Sequence, residues 1–143
     1  MTNIRTADYG ALLLRVSLGV LFVAHFALKA FVFTPEGTAQ FFVSLGLPAA
    51  LGYLTMAAEL VGGFALILGV QTRLAALALT PVLLGAILFD HGDKGWVFSN
   101  PGGGWEFPAF WIATLLVQAL LGDGALALRL PSLTTLVPAA RGH

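Results

Sequence analysis

The chain has 143 residues, 58% of them hydrophobic and only 10% charged, whereas a soluble domain carries roughly 25% charged residues, so too few polar groups remain to coat a soluble surface. Net charge is zero and no block of Lys or Arg occurs, which removes the electrostatic footprint of a nucleic-acid binder. Cysteine is absent, and with it go disulfides, thiolate metal sites, iron–sulfur ligation and dithiol redox relays.

The length fits a single domain. A helix that crosses a membrane needs about 20 mostly apolar residues, because each adds about 1.5 Å across a hydrocarbon core of about 30 Å. Residues 10–33 form the first such run, interrupted by Arg15, His25 and Lys29. A cleaved signal peptide is excluded there, since its apolar region is about 7–15 residues long and carries no internal charge. Pro35 and Gly37 close this run, and Pro48 opens a second over 47–70 that is interrupted only by Glu59. Gly69, Gln71 and Thr72 then turn the chain into a third run at 74–89.

Residues 90–106 read as a polar, aromatic loop, and a fourth run at 107–121 stops at Gly122, Asp123 and Gly124. The last two runs are short and span only with help from their flanks or from a locally thinned bilayer. Residues 125–130 are expected along the interface. The expected fold is an all-α, integral membrane four-helix bundle, one domain over residues 1–143.

Orientation follows from flanking basic residues. Arg5, Arg15, Arg73, Arg129 and Arg141 fall on the side that an even number of crossings shares between the two termini. Lys29 and Lys94 fall on the other side, together with Glu36, Asp90, Asp93 and Glu106. Both termini are therefore expected in the cytoplasm, with both long connections facing outward.

Ionisable groups inside a span cost about 2.5–3.5 kcal/mol each on insertion scales and normally face the bundle interior or a water-filled cavity. On a helical wheel Arg15, His25 and Lys29 lie within about 80° of one another, forming one polar stripe. Glu59, near the middle of the second span, either is neutralised or finds a cation, with Arg15, His25 and Lys29 as candidates. His25 and Lys29 fall in the outer half, and Asp90, His91, Trp105 and Glu106 at the outer ends of spans three and four. Their convergence would form a polar pocket open to the outer side. His25, Lys29, Glu59, His91, Trp105 and Glu106 are thus the candidates for ligand binding or proton handling, and Arg15, Arg73 and Asp90 for structural charge pairing.

Plainer readings stand beside these. Lys29, Arg15 and Arg73 can snorkel to the headgroups, and a Glu59 ion pair can serve only to fix bundle register. His25 alone reads most simply as a hydrogen-bonded core residue. Neither a haem held by His25 and His91 nor a metal site has supporting ligand spacing. Trp96, Phe98, Trp105, Phe107, Phe110 and Trp111 read first as an interfacial aromatic belt, and second as a flat apolar mouth for a ring-shaped ligand. Gly52, Gly62, Gly63 and Gly69 suit close helix packing.

Several segments in this order resemble the DoxX family of small four-span bacterial membrane proteins, over roughly residues 10–125. They are LLLRVSLGVLFVAHFALKAF with Arg15, His25 and Lys29, FFVSLGLPAALGYLTMAAELVGG with Glu59, GVQTRLAAL with Arg73, His91 after span three, and GGGWEFP with Trp105 and Glu106. One departure is Phe26 after the histidine, where many relatives have glycine; it is expected to narrow any cavity beside His25. The resemblance implies quinone or redox metabolism, since relatives are described as a subunit of a thiosulfate:quinone oxidoreductase and as linked to a membrane-associated oxidoreductase complex.

The function expected is a quinone- or redox-associated subunit of the bacterial plasma (inner) membrane, in contact with lipids. It would have no intrinsic cofactor but a bound quinone, and would work as a homo-oligomer or with a partner redox protein that supplies electrons. Two other readings stay open: a non-enzymatic scaffold or anchor of a larger complex, and a small-molecule or proton pathway.

Overall fold

A computed structural model describes residues 4–130, and among these every regular element is helical. Helix α1 (Ile4–Ala27) continues through one widened π-helical turn, Leu28–Val32. Helix α2 is Pro35–Ser44, α3 is Ala49–Leu68 and α4 is Thr72–Ala86. A second π turn, Ile87–His91, and a 3-10 turn, Gly92–Lys94, prolong α4; α5 is Glu106–Leu121. Three of these helical stretches, Arg5–Val32, Ala49–Leu68 and Thr72–Lys94, are long and apolar enough to cross a membrane. With 16 residues, α5 reaches about 24 Å, short of a core of about 30 Å.

Two boundaries differ from the sequence reading. The first helix begins at Ile4 rather than at residue 10, and the third runs through Asp90 and His91, which therefore stand on a helix and not in the loop. A third difference is α2, which occupies what reads as a connection. Pro35 starts this helix instead of closing the previous one: it fills the first helical position, where its fixed φ fits and no N–H is missed, while Thr34 Oγ1 accepts from Gly37 N at 3.1 Å. Thr38 and Ala39 are buried, and a Cβ at Gly52 of α3 would lie 3.1 Å from Ala39 Cα. The short helix is thereby held against α3, and Thr38 Oγ1 donates to Lys29 O at 3.2 Å.

Helices α1 and α3 run antiparallel with their backbones in contact. A Cβ at Gly19 would meet Gly63 O at 2.5 Å, and one at Gly63 would meet Gly19 O at 3.0 Å. Small residues let membrane helices approach this closely, and dispersion and weak polar contacts then replace the hydrophobic effect as the packing force. The core beside this crossing comprises Leu18, Phe22, Leu66, Ala76, Leu79, Trp111 and Leu115. Leu13, Phe31, Leu54, Val61, Leu74, Leu88, Phe110 and Leu120 are exposed, an apolar surface that suits a lipid environment.

The bundle has a termini end and a far end. At the termini end Arg15 is fully buried and, among the described residues, donates only to carbonyls: Nε to Asp123 O at 2.8 Å, Nη1 to Leu66 O at 3.1 Å and Ile67 O at 2.6 Å, and Nη2 to Ala125 O at 2.7 Å. The guanidinium thus covers the last-turn carbonyls of α3, where helix partial charge is negative, and ties the chain after α5 to them. Residues 125–130 are tied to the bundle: Ala125 N donates to Asp8 O and Leu128 N to Leu68 O, each at 3.0 Å. Gly69 caps α3 with φ 74, and a Cβ there would sit 2.7 Å from Ala127 Cα. Arg5, Arg73 and Arg129 share this end, with Arg73 exposed beside Gly122; Arg141 lies outside the described residues.

Candidate functional site

At the far end, the π turn that prolongs α1 carries Lys29, whose Nζ donates to Glu59 Oε1 at 2.8 Å. Glu59 is 3% exposed, whereas the Lys29 side chain is 19% exposed, so the pair has one closed and one open side. Of the three cations considered for Glu59, Lys29 is the one in contact; Arg15 is spent at the other end of α1. Glu59 Oε2 is closed off from solvent and has no hydrogen-bond partner among the described residues.

One turn before Lys29, His25 Nδ1 lies 2.9 Å from Leu21 O. A carbonyl only accepts, so Nδ1 carries the proton, and in the neutral ring Nε2 is left as an acceptor. The His25 ring meets Trp111 of α5 edge-on at 4.9 Å between centroids. Trp111 is 4% exposed, packs on Phe22 at 4.5 Å and Phe107 at 5.7 Å, and its Nε1 has no partner among the described residues.

These four residues line one side of a cleft of about 2060 Å³ whose other walls include Leu54, Pro81, Phe89 and Phe107. Asp90, His91 and Glu106 also line it, yet their polar atoms hold the loop between α4 and α5. His91 Nδ1 donates to Gly103 O at 2.9 Å, Lys94 Nζ donates to Asp90 Oδ1, and Glu106 Oε1 accepts from Phe98 N at 2.7 Å. His91 Nε2 lies 3.5 Å from Asp90 Oδ2. Trp105 and Phe26 are not among the lining residues: Trp105 stacks edge-on with Trp96 at 4.5 Å, and Phe26 does not narrow the space beside His25. Among the described residues no three of His, Asp and Glu stand close enough to share a metal ion.

The residues singled out from sequence thus divide. His25, Lys29 and Glu59 gather at depth; Asp90, His91 and Glu106 brace the loop; Trp105 stacks outside; Arg15 and Arg73 belong to the termini end. Trp111 is the addition. Grouped with the interfacial aromatics by sequence proximity, it belongs to the inner face of α5 that Pro108, Trp111, Leu115 and Gln118 define. Their spacing of three and four residues is the mark of one helix face, and a glutamine within an apolar helix points to which face is inward.

A bundle of apolar helices with ionisable groups turned inward defines a multi-pass membrane protein. The chain belongs to the DoxX family, whose model matches residues 10–92. It is similar to a protein of Bacillus subtilis (strain 168) named "Putative oxidoreductase CatD", 36% identical over 124 residues that cover 87% of each chain. It is also similar to a Haemophilus influenzae (strain ATCC 51907 / DSM 11121 / KW20 / Rd) protein named "Uncharacterized protein", 35% identical over 83 residues, which are 57% of this chain and 54% of that one. No solved structure matches the chain.

Proposed function

We propose that this DoxX-family protein is a quinone-binding, redox-associated subunit of the bacterial plasma membrane. The observation that carries the reading is the Lys29–Glu59 pair beside His25 and Trp111 on the wall of a predominantly apolar cleft. Pockets for compact ligands are about 300–1,000 Å³; a cleft of about 2060 Å³ suits a ring with part of an apolar tail. The ring oxygens need polar partners, and Lys29, Glu59, His25 and Trp111 offer both donors and acceptors. His25 and Glu59 can each hold or pass a proton, as a ligand that gains or loses protons with its electrons requires.

The similarity to a protein named as an oxidoreductase supports the redox part. On this reading a partner redox protein supplies the electrons. The basic residues Arg5, Arg15, Arg73 and Arg129 gathered at the termini end support placing that end in the cytoplasm, which turns the cleft to the outer half of the membrane.

The test is titration of purified protein in nanodiscs with decylubiquinone, read by quenching of tryptophan fluorescence. Saturable quenching that His25→Ala weakens at least tenfold is the expected result. Binding that is absent, or indifferent to His25→Ala, overturns the reading. A scaffold role is favoured by the way Asp90, His91 and Glu106 spend their polar atoms on the loop; on that reading Glu59→Gln lowers stability and the wild type binds no quinone.

A further inference from the structure

We infer that the cleft holds the reduced, hydroxyl-bearing form of its ring ligand more tightly than the oxidised, carbonyl form. This rests on the quinone reading and goes beyond it, because it assigns the redox state that the site stabilises.

The inference comes from which hydrogen-bonding capacities are left over around His25. Two are donors: Trp111 Nε1, with no partner among the described residues, and the remaining hydrogens of Lys29 Nζ, whose contact with Glu59 Oε1 uses one of three. Two are acceptors: Glu59 Oε2, likewise without a partner, and His25 Nε2, left as an acceptor once Nδ1 donates to Leu21 O. A quinone oxygen only accepts, so it answers Trp111 and Lys29 and leaves Glu59 Oε2 and His25 Nε2 as they were. A hydroquinone hydroxyl both donates and accepts. It satisfies a donor and an acceptor at once, and two such hydroxyls match all four capacities in kind.

Position adds weight to the carboxylate. Glu59 and Trp111 are 3% and 4% exposed, so bulk water does not relieve either group, and a buried acceptor without a donor is the costlier omission when it is charged. The Lys29 side chain, 19% exposed, is the more open partner of the pair, and on this inference a ligand reaches Oε2 by displacing it, a movement its four-carbon stem allows. The preference expected from one additional charge-assisted hydrogen bond is about tenfold or more.

The experiment compares decylubiquinone with decylubiquinol, titrated anaerobically against the same nanodisc protein. The expected result is at least tenfold tighter binding of the quinol, equivalent to a rise of about 30 mV in the potential of the bound couple. Glu59→Gln is the diagnostic variant. The carboxamide oxygen keeps the bond from Lys29 and the NH₂ replaces the free acceptor with a donor, so the preference is lost or reversed. Trp111→Phe removes a donor that serves both forms; both weaken and the preference persists. Equal affinities in the wild type, or a quinol preference that survives in Glu59→Gln, overturn the inference and leave the quinone reading standing. Failure of both forms to bind overturns the two together. Should Glu59→Gln not fold, the wild-type ratio and its persistence in Trp111→Phe decide.

Discussion

Lys29 and Glu59 stand 30 residues apart in the chain and 2.8 Å apart in space, joining the π turn after α1 to the middle of α3. Removing one partner strands the other in a low-dielectric interior, so Lys29→Met is expected to cost about 3–5 kcal/mol, whereas the double variant Lys29→Met/Glu59→Met recovers most of that. Equilibrium unfolding in mixed micelles measures both. A double variant no more stable than Lys29→Met would mean that the pair is not coupled in this way.

Arg15 holds four carbonyls drawn from α3 and from the chain after α5. Lysine keeps the charge but not the planar fork, so Arg15→Lys is expected to cost about 1.5–3 kcal/mol. Hydrogen exchange at the amides of Ala125 and Leu128, which donate to Asp8 O and Leu68 O, should accelerate. Unchanged protection at those two amides would show that the tail is held without the guanidinium.

The Gly19–Gly63 crossing leaves no space for a methyl group on either helix. Gly19→Ala is expected to separate α1 from α3 and cost about 1–3 kcal/mol, while Gly10→Ala, inside the same helix with nothing within 4 Å of the new Cβ, should raise stability by about 0.5–1 kcal/mol. Thermal denaturation of the two variants in one detergent gives the comparison, and equal midpoints would refute it.

His91→Ala removes the bond to Gly103 O and should loosen the loop by about 1 kcal/mol. Faster exchange is expected at Gly104, Trp105 and Glu106, whose amides donate to Val97 O, Gly95 O and Trp96 O. The α3 amides around Glu59 should keep their rates. Loss of protection throughout α3 would instead assign His91 to the stability of the whole bundle.

Much of this architecture is legible in the sequence, because a hydrocarbon solvent allows few solutions: long apolar runs become helices, and charges within them turn inward. Lys29 meets Glu59 for that reason. Depth along the span puts Arg15 toward the termini and Lys29 toward the other side, but Glu59 lies between them near the midplane, so the sequence does not reveal which cation wins. Arg15 satisfies itself with carbonyls, which leave no side-chain signature. Helix α2 escapes for a different cause: Pro35 and Gly37 are as apt to begin a helix as to end one. Trp111 shares a composition-rich stretch with residues at the membrane edge, and only the period of α5 separates it from them.

The two widened turns, at Leu28–Val32 and Ile87–His91, have a consequence for how such chains diverge. A turn closed by five residues instead of four behaves as an absorbed insertion, so a one-residue deletion there can be taken up by tightening the coil. Elsewhere in α1 or α4 the same deletion swings everything beyond it by about 100°. Lineages could therefore retune the groups around Lys29, Asp90 and His91 by gaining or losing single codons while the remainder of each helix kept its facing.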